Sequence, residues 1–212
     1  MKYLSACCLY TFIDTAYLHG RPPAVIADQL CSGGSDIIQL RAKGSTPDEI
    51  LRMAEDVLPI AHKAGVRLVI NDHPDIAKKI GADLCHLGQE DFFDAGFVKA
   101  ANVLGGSELG IGLSTHAPEQ AARAVEAGPD YIAIGPVYPT GTKPTAKAVT
   151  LDYVRWAAAN VTIPWFAIGG INLRNISDVL AAGATRICVV SAILNAHDIA
   201  GACREFRMRL GD

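Results

Sequence analysis

Residues 37–72 read IIQLRAKGSTPDEILRMAEDVLPIAHKAGVRLVIND. An apolar, β-branched run from Ile37 to Arg41 gives way to a stretch of helical period from Pro47 to Lys63, then to a second apolar run from Arg67 to Asn71. This change of period from two to about 3.6 and back marks a strand-helix-strand unit. Thr46-Pro47 offers a cap and a first-turn proline at the helix entrance. At its exit, Ala64-Gly65-Val66 places a glycine where the left-handed conformation costs nothing, so the chain can reverse into the next strand.

The unit recurs in both directions. Strands are expected over Cys7 to Ile13, Ile37 to Arg41, Arg67 to Asn71, Leu84 to Leu87, Leu109 to Leu113, Tyr131 to Val137, Trp165 to Ile168 and Arg186 to Val190. Helices are expected over Pro22 to Cys31, Pro47 to Lys63, Pro74 to Ile80, Phe92 to Leu104, Pro118 to Ala127, Leu151 to Ala159, Leu173 to Ala182 and Asp198 to Leu210. Ala117-Pro118 and Asn172 supply further helix openings, and Ile80-Gly81-Ala82, Ala127-Gly128-Pro129 and Ala182-Gly183-Ala184 repeat the helix stop. Eight strand-helix units in 212 residues point to an α/β fold, a minimal (β/α)8 TIM barrel spanning 1–212 as one domain. A doubly wound open sheet competes, but no G-x-G-x-x-G turn follows the first strand.

Half the residues are hydrophobic, 20 are glycine and the net charge is −3, the profile of a compact protein with a sizeable core. The scattered Lys and Arg residues argue against nucleic acid, which needs clustered positive charge. No apolar run of about 18 residues is present, so no membrane span is expected and a cytoplasmic location is. The pattern leaves room for a homo-oligomer. The six cysteines include no C-x-x-C pair, and they read as reduced core residues.

Polar clusters stand where the strands end, at the face of a parallel barrel that carries active sites. In Ile37 to Lys43, alternation sets Gln39, Arg41 and Lys43 toward the barrel interior and Ile38, Leu40 and Ala42 outward. Two cations so close would repel unless an anion lay between them, and Arg beside Lys suits a phosphate or pyrophosphate. Asn71-Asp72 closes the third strand and Asp91 follows the fourth, so two carboxylates reach toward one ion, as Mg²⁺ requires. A second reading competes: Asp72 caps the helix at Pro74 and Asp91 the helix near Phe92. Gly169-Gly170 and Val190-Ser191 end strands seven and eight, where this fold commonly holds a phosphate on backbone amides. Two anion sites imply two small phosphorylated substrates or one long one. The irregular stretch Tyr138 to Val149, with Thr140-Gly141-Thr142-Lys143, lies between them as a candidate lid.

The ordered set QLRAK, ND, HLGQED, GLSTH, GPVYPTGTK, AIGGI and VVSAI, running from about Tyr10 to Ile193, resembles the thiamine phosphate synthase family. The resemblance implies a transferase. Its (β/α)8 barrel condenses 4-amino-2-methyl-5-hydroxymethylpyrimidine diphosphate with 4-methyl-5-(2-phosphoethyl)thiazole, releasing pyrophosphate, by a dissociative reaction assisted by Mg²⁺. It further implies that Gln39, Arg41, Lys43 and Asn71 hold the diphosphate and that Asp72 and Asp91 bind the metal. Ser114 would contact the pyrimidine, Lys143 the departing pyrophosphate, and Thr140, Gly141, Thr142, Gly170, Val190 and Ser191 the thiazole phosphate.

Two departures from the family pattern stand out. Ala42 replaces an acidic residue, and His73-Pro74 replaces an arginine after the Asn-Asp pair. A related thiazole tautomerase carries a histidine where Pro136 follows Gly135 here, and an idle thiamine-intermediate binding protein should have lost Asp72, Asp91 or Lys143. His73 and His86 lack partners at zinc spacing. His116 reads as organising the fifth helix's entrance, Trp156 and Trp165 as packing, and Asp198 as a cap.

Overall fold

The computed structural model describes residues 2–103, 105, 108–141 and 148–211. Eight parallel strands close a barrel in chain order: β1 (Leu9–Asp14), β2 (Ile37–Arg41), β3 (Arg67–Asn71), β4 (Leu84–Gly88), β5 (Gly110–Thr115), β6 (Tyr131–Ile134), β7 (Trp165–Ile168) and β8 (Ile187–Cys188). Each strand pairs with its neighbours in sequence and β8 returns to β1. The outer layer comprises α1 (Pro23–Ser32), α2 (Pro47–Lys63), α3 (Pro74–Ile80), α4 (Gln89–Asp94), α5 (Pro118–Ala127), α6 (Thr150–Asn160), α7 (Ile176–Ala181), α8 (Ser191–Leu194) and α9 (Ile199–Leu210). Among the described residues no helix is long and apolar enough to cross a membrane.

The expected local signals act as read at several helix ends. Thr46 and Glu49 form a capping box on α2, and Asp198 accepts the Gly201 N–H at 2.8 Å to open α9. Two helix expectations fail, and the strands expected over Cys7 to Ile13, Leu109 to Leu113, Tyr131 to Val137 and Arg186 to Val190 are shifted or shorter. The single helix over Phe92 to Leu104 is instead the short α4, ended at Ala95-Gly96 with Gly96 left-handed, followed by a 3-10 turn at Ala100–Asn102. Ala95-Gly96 is the same stop that ends other helices, placed in the middle of an apparently continuous run. Helix α7 begins at Ile176 rather than Leu173 because Asn172 is not its cap. Asn172 accepts the Arg174 N–H, and its own backbone N–H goes to the Asn175 side chain, so the two asparagines form a turn ahead of the helix.

At the N-terminal end of the barrel one device repeats. Asp36, Asp83 and Asp130, each just before an even-numbered strand, accept the N–H of Leu9, Leu68 and Ile111 at 3.1, 2.8 and 2.8 Å. Each aspartate's own N–H returns to the carbonyl of the same residue, so every such pair is doubly tied. Asp36 also gathers Lys2 and Arg207, at 2.7 and 2.6 Å. This end secures the strands and leaves the opposite end to chemistry.

Aromatic rings fill much of the barrel interior. Tyr10 stacks on Phe12 and meets Tyr131 and Phe166 edge-on, with centroids 5.3–5.8 Å apart. Gly112 makes the space: a Cβ there would lie 2.1 Å from the Tyr131 ring. The outward face of β2 packs as expected, with Ile38, Leu40 and Ala42 buried. Trp165 is buried on β7, and all six cysteines are free thiols, with Cys7, Cys85, Cys188 and Cys203 buried.

Candidate active site

The C-terminal ends of the strands surround a cavity of about 1030 Å³, its open mouth included. It gathers Gln39, Arg41, Lys43, Asn71, Asp72, Asp91, Ser114, Thr140, Gly170, Val190 and Ser191, from seven strand ends that are far apart in sequence. Gly141 is described but does not line the cavity; its nearest neighbour in the direction of a Cβ is the Tyr17 hydroxyl. Thr142 and Lys143 lie outside the described residues.

The β2 to β4 side carries charge of both signs. Arg41 Nη1 donates to Asp14 Oδ2 and Lys43 Nζ meets Asp72 Oδ2, at 2.7 and 2.6 Å. The expectation that Arg41 and Lys43 need an anion between them is therefore corrected, since each cation already has its own carboxylate. The reading of Asp72 and Asp91 as helix caps is corrected too. The residue before α3 is His73, with no side-chain cap, and α4 starts at Gln89, ahead of Asp91. Asp72 instead turns the chain at φ 63° and donates its N–H to the His86 carbonyl at 2.9 Å, which ties the end of β3 to β4. Asp91 folds back over the end of β4, where a Cβ on Gly88 would come within 2.6 Å of its Oδ2. Glycine at 88 thus leaves room for that carboxylate.

Buried hydroxyls form the floor. Gln39 Nε2 donates to Tyr10 Oη at 2.6 Å, Tyr10 Oη pairs with Tyr131 Oη at 2.9 Å, and Tyr131 Oη pairs with His86 Nδ1 at 2.9 Å. Burial pushes both phenols well above their usual range, so they stay neutral. The Cys188 thiol, which also lines the cavity, is pushed up by burial, which favours its neutral form. Tyr10, Phe12 and Cys188, which the motifs do not mark, also line the site, as do His86 and His116, which the sequence gives no direct role. The signal was present: Tyr10 and Phe12 share the inward parity of strand one, as His86 does in strand four. His116 does organise the helix entrance, its N–H donating to Gln120 Oε1 at 2.7 Å and its Nδ1 to the Gly135 carbonyl.

On the far side, Gly169 and Gly170 are left-handed at φ 103° and 65°. Side chains there would collide with Pro136 and with the Pro139 carbonyl, so the turn packs directly on the chain leaving β6. The Gly170 carbonyl is drawn away by the amides of Asn172 and Asn175, at 3.2 and 2.9 Å. In the short α8 the N–H groups of Ile193 and Leu194 go to the Val190 carbonyl, at 3.1 and 2.9 Å, which leaves those of Ser191 and Ala192 without a partner inside the helix. This side presents backbone amide rather than side-chain charge.

Among the described residues no three His, Cys, Asp or Glu cluster as a complete metal cage. Asp72 and Asp91, two carboxylates on one cavity wall, fit Mg²⁺, which takes one or two carboxylates and completes its shell with substrate oxygens and water.

The family model described as thiamine monophosphate synthase matches residues 9–193. A thiamine-phosphate synthase of Thermus thermophilus is 47% identical over 184 residues, covering 86% of each chain. Another, of Acidothermus cellulolyticus, is 44% identical over 204 residues, covering 95% of this chain and 94% of its own. The solved thiamine phosphate pyrophosphorylase from Pyrococcus furiosus superposes with a TM-score of 0.83 at 27% identity, over 99% of this chain and 98% of its own. With this barrel, this ring of strand-end residues and these relatives, the chain belongs to the thiamine monophosphate synthase family of enzymes.

Proposed function

We propose that the chain joins 4-amino-2-methyl-5-hydroxymethylpyrimidine diphosphate to 4-methyl-5-(2-phosphoethyl)thiazole, giving thiamine phosphate and pyrophosphate. The observation that carries this reading is one cavity with two kinds of anion chemistry: cations and carboxylates on β2 to β4, and a left-handed glycine turn with the start of α8 on β7 and β8. Two phosphorylated substrates can meet there with their reacting ends inward.

In this reading Gln39, Arg41, Lys43 and Asn71 hold the diphosphate, with Gln39 already oriented by Tyr10. Ser114 contacts the pyrimidine. Thr140, Gly141, Thr142, Gly170, Val190 and Ser191 hold the thiazole phosphate, and Lys143 meets the departing pyrophosphate. Asp72 and Asp91 would hold Mg²⁺, whose charge supports the leaving group.

The bond from the pyrimidine methylene to the diphosphate oxygen breaks with both electrons on oxygen. The pyrimidine amino group shares the positive charge left behind, and the thiazole nitrogen lone pair captures it. The chain's task is to stabilise the leaving anion through Arg41 and Lys43 and to align the two rings. No protein nucleophile is required, in keeping with the neutral thiol at Cys188. Asp72→Ala, checked by circular dichroism for an intact fold, is expected to lose Mg²⁺-dependent formation of thiamine phosphate. Near-normal turnover in that variant would remove the metal assignment.

A further inference from the structure

Arg41 enters the cavity from a partner that the cavity does not touch. Asp14 ends β1 directly opposite Arg41 in the strand register, is 1% exposed, and is absent from the cavity wall that Arg41 lines. Its Oδ2 accepts from Arg41 Nη1 at 2.7 Å while its Oδ1 accepts the Ala16 N–H at 3.0 Å. Both oxygens are engaged, so the carboxylate cannot turn without orphaning a backbone donor. A guanidinium carries five N–H donors, and Asp14 is Arg41's one side-chain hydrogen-bond partner among the described residues, so most of the fork is left for a ligand.

Two effects of Asp14 oppose each other. Its negative charge weakens the pull of Arg41 on an anion, while its grip removes in advance the rotamer freedom that a long side chain would lose on binding. The fixed, buried geometry favours the second. Lys43 differs: its side chain is 58% exposed and its partner Asp72 faces the cavity, so that pair can exchange.

We propose that Asp14 is a positioning residue that holds Arg41 ready for the diphosphate of the incoming substrate. This inference rests on the diphosphate reading given above. It assigns a distinct part to a residue that never meets the ligand.

Asp14→Asn keeps the size of the side chain and the acceptor for Ala16 while removing the charge. The test titrates inorganic pyrophosphate with Mg²⁺ into the full chain by calorimetry and follows KM for each substrate. Asp14→Asn is expected to weaken pyrophosphate binding about tenfold, one charge-assisted hydrogen bond's worth. It should raise KM for the pyrimidine diphosphate and leave KM for the thiazole phosphate unchanged. In an Arg41→Gln background, the same change should add no further loss. Asp14→Ser, whose hydroxyl still accepts the Ala16 N–H, carries the same expectations should the amide variant prove unstable.

Unchanged or tighter pyrophosphate binding in these variants, or an equal further loss in the Arg41→Gln background, would overturn the proposal. Absence of pyrophosphate binding to the wild type would overturn it as well. Pyrophosphate binding by the wild type without any thiamine phosphate formed would instead sink only the reaction, leaving the comparison of variants readable.

Discussion

Lys43 Nζ sits 2.6 Å from Asp72 Oδ2, so an ammonium rests on a carboxylate that the proposed reaction needs for a divalent cation. The lysine is 58% exposed, and pairs of this kind are worth about 0.2–1 kcal/mol. Such a contact neutralises Asp72 without locking it. In the proposed reaction the diphosphate would draw Lys43 away as the metal ion takes its place at Asp72.

Lys43→Met should therefore change two affinities in opposite directions. Mn²⁺ alone, followed by electron paramagnetic resonance, should bind the variant up to roughly 5-fold more tightly than the wild type. Pyrophosphate with Mg²⁺ should bind more weakly. Weakening of both would show that Lys43 does not compete with the metal at Asp72.

The aspartates at the other end of the barrel should govern stability and not chemistry. Asp130→Ala leaves the N–H of Ile111 without its acceptor, and Asp83→Ala does the same to Leu68. Each is expected to cost about 1–3 kcal/mol in urea unfolding, with KM for both substrates unchanged. A selective rise in one KM would contradict the division of the barrel into a structural and a reactive end.

Asp36 gives this structural end a pH dependence. Burial alone would raise its carboxyl, but hydrogen bonds from Lys2, Leu9 and Cys8 and the charge of Arg207 outweigh that and hold it below the usual range. A carboxyl lowered in the folded state contributes stability that is complete above its unfolded value of about 3.9 and is lost as pH falls below it. Asp36→Asn should be less stable than the wild type at pH 7 and should lose less on acidification from about pH 5 to 3. Parallel stability curves for the two proteins would remove Asp36 from the account.

Much of this was legible in the residues. The bounds of β2, β3, β7, α2, α3 and α5 follow directly from period, proline and the Ala-Gly stops. Alternation in β2 sends Gln39, Arg41 and Lys43 into the cavity as read. The same rule applied to β1 puts Tyr10, Phe12 and Asp14 on one face, but the apolar run ends at Ile13 while the strand continues one residue further, to Asp14. What alternation could not supply was the pairing across strands. That Arg41 faces Asp14 and Lys43 faces Asp72 depends on register and on the left-handed turn at Asp72, which no local pattern encodes. Helix α4 misled because Phe92, Phe93, Phe97 and Val103 keep an apolar rhythm through Gly96, where the backbone has already turned.

The most direct test mixes the purified protein with the pyrimidine diphosphate, the thiazole phosphate and Mg²⁺, and assays thiamine phosphate with and without EDTA. The account predicts product with the metal, none when either substrate is omitted, and none after chelation. Folded protein that binds pyrophosphate yet forms no thiamine phosphate would contradict it, and would direct attention to His73-Pro74, which follow Asp72 in the chain.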